Sequence, residues 1–363
     1  MSVSKAQLSV EHAEWSLTES AISQSCRRFL HILQGDDPKG DASFYVNYMC
    51  GAGSGILLRM NKKFYILTAS HVVKEYEDTP ERERNTSPFW FPLINKRGFS
   101  NFYDFLYPYK MYLIGDLIDD DFGWVDVSDV VLIELCDCIA PFFPHGFIDL
   151  DADSFDKKII LKNQFFEGQF LNCAGFPFEK NDFEYDIADD MKDKGFTHST
   201  KLIRHIDQGF CLFDEQGKPF LALRKYLVEN SIVDKNFLGG EESIDGSFSR
   251  DGMSGGVVFN IMEDGVEPLW AGMVVSGSSN LLRRFIPAYV MKDAILNHKS
   301  AKCIVLDYEK EARDNNFESR DCKINDVDMG RHISVMEGAL GVFKNLPDEE
   351  KRIFLENFIS HIK

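Results

Sequence analysis

One histidine stands where a general base would be well placed, at the end of an apolar β-type run. The run "FYILTASHVV" (64–73) is rich in aromatic and β-branched residues and sets small residues directly before His71. Histidine exchanges protons near neutral pH, which makes it the most frequent general base in enzymes. A buried structural histidine would fit the same run, so the choice depends on the partners that the rest of the chain supplies.

A serine between glycines is the second group that could react. In "SRDGMSGGVVF" (249–259), the glycines at 252, 255 and 256 permit a tight turn around Ser254. Such a turn directs a hydroxyl and successive backbone N–H groups into one space, as acyl transfer requires, because amides stabilise the oxyanion that forms on attack. An ordinary Gly/Ser-rich hairpin would have the same composition.

Two aspartates compete for the role of orienting the histidine. In "VSDVVLIEL" (127–135), Asp129 stands at the head of an apolar strand, where a carboxylate needs a partner such as an imidazole N–H. Asp126 lies three residues earlier and is a rival. A surface aspartate at the start of a strand would also fit the pattern.

Taken together, the three stretches are similar to the chymotrypsin/trypsin family of serine proteases. His71, Asp129 and Ser254 follow one another in that family's order, and "GSGILLRMNKKFYILTASHVV" resembles its two strands and catalytic-histidine segment. "CAGFP" (173–177), "AGMVVSG" (271–277) and "FIPAYVMKDAIL" also resemble segments of the family, in particular of its bacterial and intracellular trypsin-like peptidases. The resemblance spans about 44–300.

The resemblance implies a mainly β fold of two perpendicular, antiparallel six-stranded barrels with the active site between them. It assigns Ser254 as nucleophile, His71 as general base and Asp129 as the group that orients His71. The N–H groups of Gly252 and Ser254 would form the oxyanion hole. Substrate would bind along Val275, Ser276 and Gly277, with Phe248 at the base of the specificity pocket. No cofactor and no metal is implied.

Several residues depart from the family pattern. Val72 replaces the disulfide cysteine that follows the histidine in secreted members, and Met253 replaces the aspartate that precedes the serine in zymogen-activated members. Phe248 replaces the acid of trypsin, which favours a small or apolar residue before the scissile bond unless Asp245 or Asp251 reaches the pocket.

Two rival interpretations belong to other classes. Gly252-x-Ser254-x-Gly256 also fits the nucleophile elbow of α/β-hydrolases, with Asp293 and His298 as later partners, but that elbow requires a helix after the serine. The alternative outside enzymes is a catalytically silent, protease-like binding module that acts through helical extensions.

Composition restricts the partners. With 40 basic and 58 acidic side chains, the formal net charge of −18 disfavours nucleic acid. No apolar run is long enough for a membrane span or a secretory signal, which predicts a cytoplasmic protein.

The eight cysteines show no framework spacing and are expected to be free thiols: Cys26, Cys50, Cys136, Cys138, Cys173, Cys211, Cys303 and Cys322. We expect a protein or peptide substrate and a possible regulatory protein partner.

Hydrophobic periodicity divides the chain into four parts. Apolar residues three or four apart predict one amphipathic helix over 9–34, and the tail at 327–363 is also predicted to be helical. Short β-type runs fill about 43–300, interrupted by polar stretches at 77–108 and 179–236 that we interpret as surface excursions. The predicted division is an N-terminal helical extension (1–42), a first barrel with His71 and Asp129 (43–150), a second barrel with Ser254 (151–300) and a C-terminal helical extension (301–363).

Overall fold

The computed structural model describes the chain in separate stretches. These are residues 9–33, 49–73, 86–93, 108–120, 123, 125–135, 146–151, 153–177, 183–184, 199–200, 204–230, 252–279 and 282–305. None of the helices in these stretches is long and apolar enough to cross a membrane.

The strands form two main groups. Eight of the described strands make the first sheet, in the spatial order β16-β5-β6-β3-β2-β1-β4 with β7 beside β2. Its strands are β1 (Cys26–Leu33), β2 (Met49–Met60), β3 (Lys63–Ala69), β4 (Thr86–Leu93), β5 (Pro108–Tyr112), β6 (Val130–Leu135), β7 (Ile148–Asp149) and β16 (Cys303–Val305).

The second group closes on itself as a six-stranded barrel in the order β11-β12-β15-β14-β13-β8. Its strands are β8 (Phe170–Gly175), β11 (His205–Phe213), β12 (Pro219–Leu223), β13 (Val257–Asn260), β14 (Leu269–Ser279) and β15 (Leu282–Pro287), and a separate pair is formed by β9 (Phe183–Glu184) and β10 (Ser199–Thr200). The fold is therefore mainly β, as expected, and one of the two expected six-stranded barrels is closed. Closure of the first sheet into a second barrel is not seen among the described strands.

Short helices join and flank the strands. They are α1 (Val10–Thr18), α2 (Ala21–Gln24), α3 (Ser70–Val73), α4 (Phe155–Lys158), α5 (Arg224–Glu229) and α6 (Ala288–Leu296), together with one-turn 3-10 helices at Ile114–Leu117, Val127–Asp129, Lys162–Gln164 and His298–Ser300.

A shared apolar layer holds the first sheet against the barrel. Alternate residues of a strand point to opposite faces. On β6, for example, Leu132 joins this shared layer and Ile133 packs on the far face of the sheet. On the barrel, Val257 and Trp270 belong to the same layer, while Val258 points into the barrel interior. The first sheet is thus buried on both faces, one of them against the barrel.

The prediction of a single helix over 9–34 is wrong for its second half. Residues Cys26–Leu33 form β1, which pairs antiparallel with both β2 and β4. The helical part is broken at Ser20, whose hydroxyl accepts from the Ser23 N–H and caps α2. Pairing with two neighbouring strands satisfies the backbone of β1 and overrides the helical spacing of its apolar residues. This strand lies in the sheet that was expected to begin at residue 43.

Both predicted surface excursions contain strands of the main structure. Within 77–108, β4 pairs with β1, and within 179–236, β11 and β12 are members of the closed barrel. On β11 the buried positions are Asp207, Gly209 and Cys211, so no apolar alternation reveals the strand. Asp207 is buried in an ion pair with Arg283 of β15, whose Nε lies 3.0 Å and Nη2 2.6 Å from Oδ2.

The C-terminal extension is described only at its start. Residues 303–305 form β16 at the edge of the first sheet, paired with β5. The helical tail predicted at 327–363 lies outside the described residues.

The N-terminal helices are fastened to the barrel side of the molecule. Arg204 donates from Nη1 to the carbonyl oxygen of Ser23 at 2.7 Å, and from Nη2 to that of Thr18 at 3.0 Å. At the start of α1, the Ser9 N–H donates to Oδ1 of Asp264, in the turn between β13 and β14, at 2.8 Å. The segment therefore contacts the barrel before the chain enters the first sheet at β1.

We expect Arg204→Met to lower the free energy of unfolding by about 1–3 kcal/mol, because carbonyl groups at the ends of two short helices lose their donor. Arg59→Met is the matched control, since Arg59 forms an exposed ion pair with Asp149 and its loss should cost less than about 1 kcal/mol. Urea denaturation of both variants measures the difference. Equal losses would contradict a fastening role for Arg204.

Candidate active site

His71 is presented to solvent by a one-turn helix whose other residues are buried. The chain leaves β3 directly into α3, where Ser70, Val72 and Val73 are buried while 48% of the His71 side chain is exposed. The apolar residues on either side fix the turn, and the imidazole is the group left outside. This position agrees with a working base better than with a structural histidine.

One carboxylate binds His71 at two points. Oδ1 of Asp129 accepts the His71 backbone N–H at 2.8 Å, and Oδ2 forms a short hydrogen bond with the ring Nδ1. Because Nδ1 faces a carboxylate, the neutral ring carries its proton there and presents Nε2 as the acceptor. The Asp129 side chain is only 18% exposed, which strengthens the interaction.

Asp126, the rival carboxylate, has a different partner. Its Oδ1 accepts from the backbone N–H of Ser128 at 2.9 Å and from the Ser128 hydroxyl at 2.5 Å, which caps the 3-10 helix Val127–Asp129. Asp126 therefore shapes the turn that directs Asp129 toward His71. Gly115 supports the same turn from outside, since a Cβ there would lie 2.5 Å from the Val127 carbonyl oxygen.

The Ser254 loop is a tight turn held by the barrel. Gly252 and Gly255 have positive φ angles of 94° and 81°, which glycine adopts without strain. The Gly256 N–H donates to the carbonyl oxygen of Met253 at 2.9 Å, and the Gly255 N–H donates to that of Val274 at 2.7 Å. Among the described residues, the hydrogen bond of the Ser254 hydroxyl is a long one, 3.5 Å to the Val275 carbonyl oxygen.

The serine loop also packs on the first sheet, beside the helix that carries His71. The Ser54 N–H of β2 donates to the carbonyl oxygen of Ser254 at 2.8 Å. Gly53 lies between the two elements: a Cβ there would lie 2.7 Å from Val72 Cγ1 and 3.3 Å from the Ser254 carbonyl oxygen. The structure thus brings the histidine, the aspartate and the serine loop to one junction between the sheet and the barrel.

Backbone donors are available next to the serine. Among the described residues, neither the Gly252 nor the Ser254 N–H donates to a protein acceptor, whereas the neighbouring amides of Gly255 and Gly256 are paired. Unpaired amides on either side of a reactive hydroxyl are suited to binding an oxyanion.

The expected substrate-binding residues are described in part. Val275 and Ser276 lie on β14, where the Val275 carbonyl oxygen is 3.5 Å from the Ser254 hydroxyl and Ser276 pairs with Arg284 of β15, and Gly277 continues the same strand. Phe248, Asp245 and Asp251 lie outside the described residues.

Other candidate nucleophiles and bases have unsuitable environments. Burial raises the pKa of Cys26 to about 11 and that of Cys211 to about 12, so both are neutral thiols at neutral pH. None of the four cysteines with described side chains forms a disulfide. His298, the base of the α/β-hydrolase alternative, is buried between Tyr65 and Tyr112, and burial lowers its pKa.

The α/β-hydrolase alternative also fails on its local structure, because strand β13 follows Ser254 where a nucleophile elbow requires a helix.

Sequence reasoning missed Ser54, which contacts the serine loop from the opposite sheet. The only signal was its setting in "GAGSG", a cluster of small residues inside β2, where strands seldom place them. Gly53 is small there because the Val72 side chain and the Ser254 carbonyl oxygen approach it, and Ser54 lies against the serine loop.

Comparisons with known proteins give little beyond this geometry. No family model matches the chain, and no curated protein matches it either. Among solved structures, it is similar to the thermostable serine protease AL20 from an extremophilic microorganism, with 12% identity, a TM-score of 0.38, and coverage of 77% of this chain and 98% of that one. A likeness at that TM-score is too weak to decide fold or activity.

We expect Gly255→Ala to be far more damaging than Gly265→Ala, although both glycines have a φ of 81°. The two variants share a left-handed strain of about 1–2 kcal/mol. At Gly265 a Cβ meets nothing within 4 Å, whereas at Gly255 it would collide with the Ser54 carbonyl oxygen. Urea denaturation should therefore give the larger loss for Gly255→Ala, and equal losses would argue against tight docking of the loop.

Proposed function

We propose that the chain is a trypsin-like serine endopeptidase that cleaves proteins or peptides through an acyl-enzyme intermediate. The observation that carries the proposal is the two-point bond of Asp129 to His71, beside a serine loop that packs on the same junction. A carboxylate that holds both the backbone and the ring of a solvent-facing histidine fixes its orientation and tautomer, which a purely structural histidine does not need.

The reaction follows from the assigned atoms. His71 Nε2 takes the proton of the Ser254 hydroxyl as Oγ forms a bond to the scissile carbonyl carbon. The resulting oxyanion accepts hydrogen bonds from the Gly252 and Ser254 N–H groups. As the intermediate collapses, the C–N bond breaks and His71 returns the proton to the leaving amine; water then hydrolyses the ester by the same steps. Asp129 stabilises the imidazolium throughout.

In this proposal the first sheet corresponds to the first six-stranded barrel of the chymotrypsin-like fold, perpendicular to the closed barrel, which corresponds to the second. This assignment is supported because the first sheet supplies both His71 and Asp129, while the closed barrel supplies Ser254. We place the enzyme in the cytoplasm, in regulated proteolysis or bacterial defence, with a possible regulatory protein partner and without nucleic acid, membrane, metal or cofactor.

Substitution within the triad should abolish reactivity. Because triad members act as a unit, Ser254→Ala and His71→Ala should each lower turnover by about a millionfold. Asp129→Asn should cost about ten-thousandfold, since the amide favours the wrong tautomer of His71. The measurements are labelling by a fluorescent fluorophosphonate and hydrolysis of p-nitrophenyl acetate.

Asp126→Asn is the matched control for Asp129→Asn. Asparagine also accepts hydrogen bonds at a helix N-cap, so the turn should survive and labelling should stay within a few fold of wild type. Loss of labelling in Asp126→Asn, together with wild-type labelling in Asp129→Asn, would overturn the assignment of Asp129. Folded wild-type protein that no fluorophosphonate labels would favour the silent binding module instead.

Activity should not depend on cleavage near the N-terminus. In zymogen-activated members of the family, a newly cut α-amino group pairs with the aspartate before the nucleophile. Here that residue is Met253, which is fully buried, with its sulfur 2.6 Å from where a Cβ of Gly175 would lie. An ammonium inserted there would be buried without a partner, at a cost of several kcal/mol.

The comparison uses uncleaved protein with an acetylated N-terminus and protein cut at a protease site engineered between residues 34 and 44. We expect equal rates of fluorophosphonate labelling. Labelling that begins only after the cut would contradict the prediction.

A further inference from the structure

Ser54 joins the first sheet to the serine loop through its hydroxyl and its N–H, while its carbonyl oxygen is bound within the first sheet. It is fully buried. Its hydroxyl donates to the Gly252 carbonyl oxygen at 2.7 Å and accepts from the Phe176 N–H at 2.9 Å. Its own N–H donates to the Ser254 carbonyl oxygen, and its carbonyl oxygen accepts from the Thr68 hydroxyl at 2.7 Å.

The hydrogen bonds of Ser54 fix two of three successive peptide groups. The carbonyls of Gly252 and Ser254 are held by Ser54, and the carbonyl of Met253 is held by the Gly256 N–H. In a trans peptide the C=O and the following N–H point in opposite directions. Holding the Met253 carbonyl therefore aims the Ser254 N–H away from the turn, and Ser54 holds the peptide groups before and after it.

We propose that Ser54 is a positioning residue for acylation: its hydroxyl, supplied by the opposite sheet, keeps the Gly252–Ser254 loop in the shape that binds the oxyanion. This inference rests on the proposed function. It concerns a side chain that touches neither the substrate nor the triad side chains, and that belongs to the same sheet as His71.

Loss of the hydroxyl leaves two buried polar groups without a partner, the Gly252 carbonyl and the Phe176 N–H. Buried unpaired groups are costly, and the simplest relief is rotation of the 252–253 peptide. That rotation moves the adjoining donors away from the developing oxyanion. Misplacement of a catalytic group by about 1 Å costs on the order of a hundredfold in rate.

The expected signature is a loss in the acylation step with little change in binding. Ser54→Ala should lower the acylation rate constant, measured from the p-nitrophenolate burst with p-nitrophenyl acetate, by about 10- to 100-fold, below the loss for a deleted oxyanion donor. The ester concentration that gives half of the maximal burst rate, which reports binding, should change less than about twofold. The affinity for phenylboronic acid, whose tetrahedral adduct places an oxygen in the oxyanion hole, should fall by a similar factor.

Ser25→Ala is the matched control. Ser25 is equally buried and its hydroxyl donates to a backbone carbonyl, that of Ile22, at 2.6 Å, but it does not contact the serine loop. It should lose stability and keep the wild-type acylation rate. Ser54→Cys preserves the shape with a weaker donor and should fall between Ser54→Ala and wild type; it carries the test if the alanine variant does not fold.

The outcomes separate this inference from the proposed function. A folded Ser54→Ala protein that acylates within about threefold of wild type overturns the positioning role while leaving the peptidase intact. The role is also overturned if Ser25→Ala slows acylation as much as Ser54→Ala. Wild-type protein that reacts with neither the ester nor a fluorophosphonate overturns the peptidase itself, and the positioning role with it.

Discussion

The buried layer between the first sheet and the closed barrel is the constraint on which the site depends. The sheet supplies His71 and Asp129, and the barrel supplies Ser254. No disulfide joins the two among the cysteines that the structure describes, so the relative position of His71 and Ser254 is set by packing and hydrogen bonds across their boundary. Apolar packing is strong but non-directional. The hydrogen bonds of Ser54 are directional, and they fix the orientation of the Gly252 and Ser254 carbonyl groups in the serine loop.

The two sides of the site differ in how they are built. His71 and Asp129 project from ends of adjacent strands, β3 and β6, so their pairing follows from one sheet register. Ser254 lies in a loop whose shape requires glycines and contacts from β2 and β14. His71 and Asp129 therefore form a rigid unit, while the Ser254 loop relies on its neighbours for its conformation.

The sequence was most informative where burial was continuous and apolar. β3, β6 and β13 were recognisable from such runs, and each lies directly beside a site residue, so His71, Asp129 and Ser254 could be proposed before the structure. Asp129 was assigned from the family resemblance with Asp126 as a rival, because a capping and a histidine-orienting carboxylate look alike in sequence; the structure gives them different partners.

The misinterpreted segments share a physical cause. β11 buries Asp207, whose charge is compensated by Arg283 on a strand more than seventy residues away, so the polar residue could be taken for surface. β1 has apolar residues at helical spacing, and its strand conformation is decided by partners on both sides. Ser54 was missed because its role depends on a loop two hundred residues later. In each case a non-local partner determines the local structure.

The fastening of the N-terminal helices has a consequence for the order of events at the ribosome. Ser9 is separated by 255 residues from Asp264 and Ser23 by 181 residues from Arg204, so this segment is synthesised long before the partners that it contacts. Contacts so distant in sequence form slowly, since the intervening chain must lose conformational entropy before the contacts can stabilise it. Until then these two helices lack the contacts that Asp264 and Arg204 provide. His71 and Asp129 both precede the strands of the closed barrel, so they are synthesised before the loop that carries Ser254. The three side chains therefore reach one junction late, when the first sheet and the barrel pack against each other.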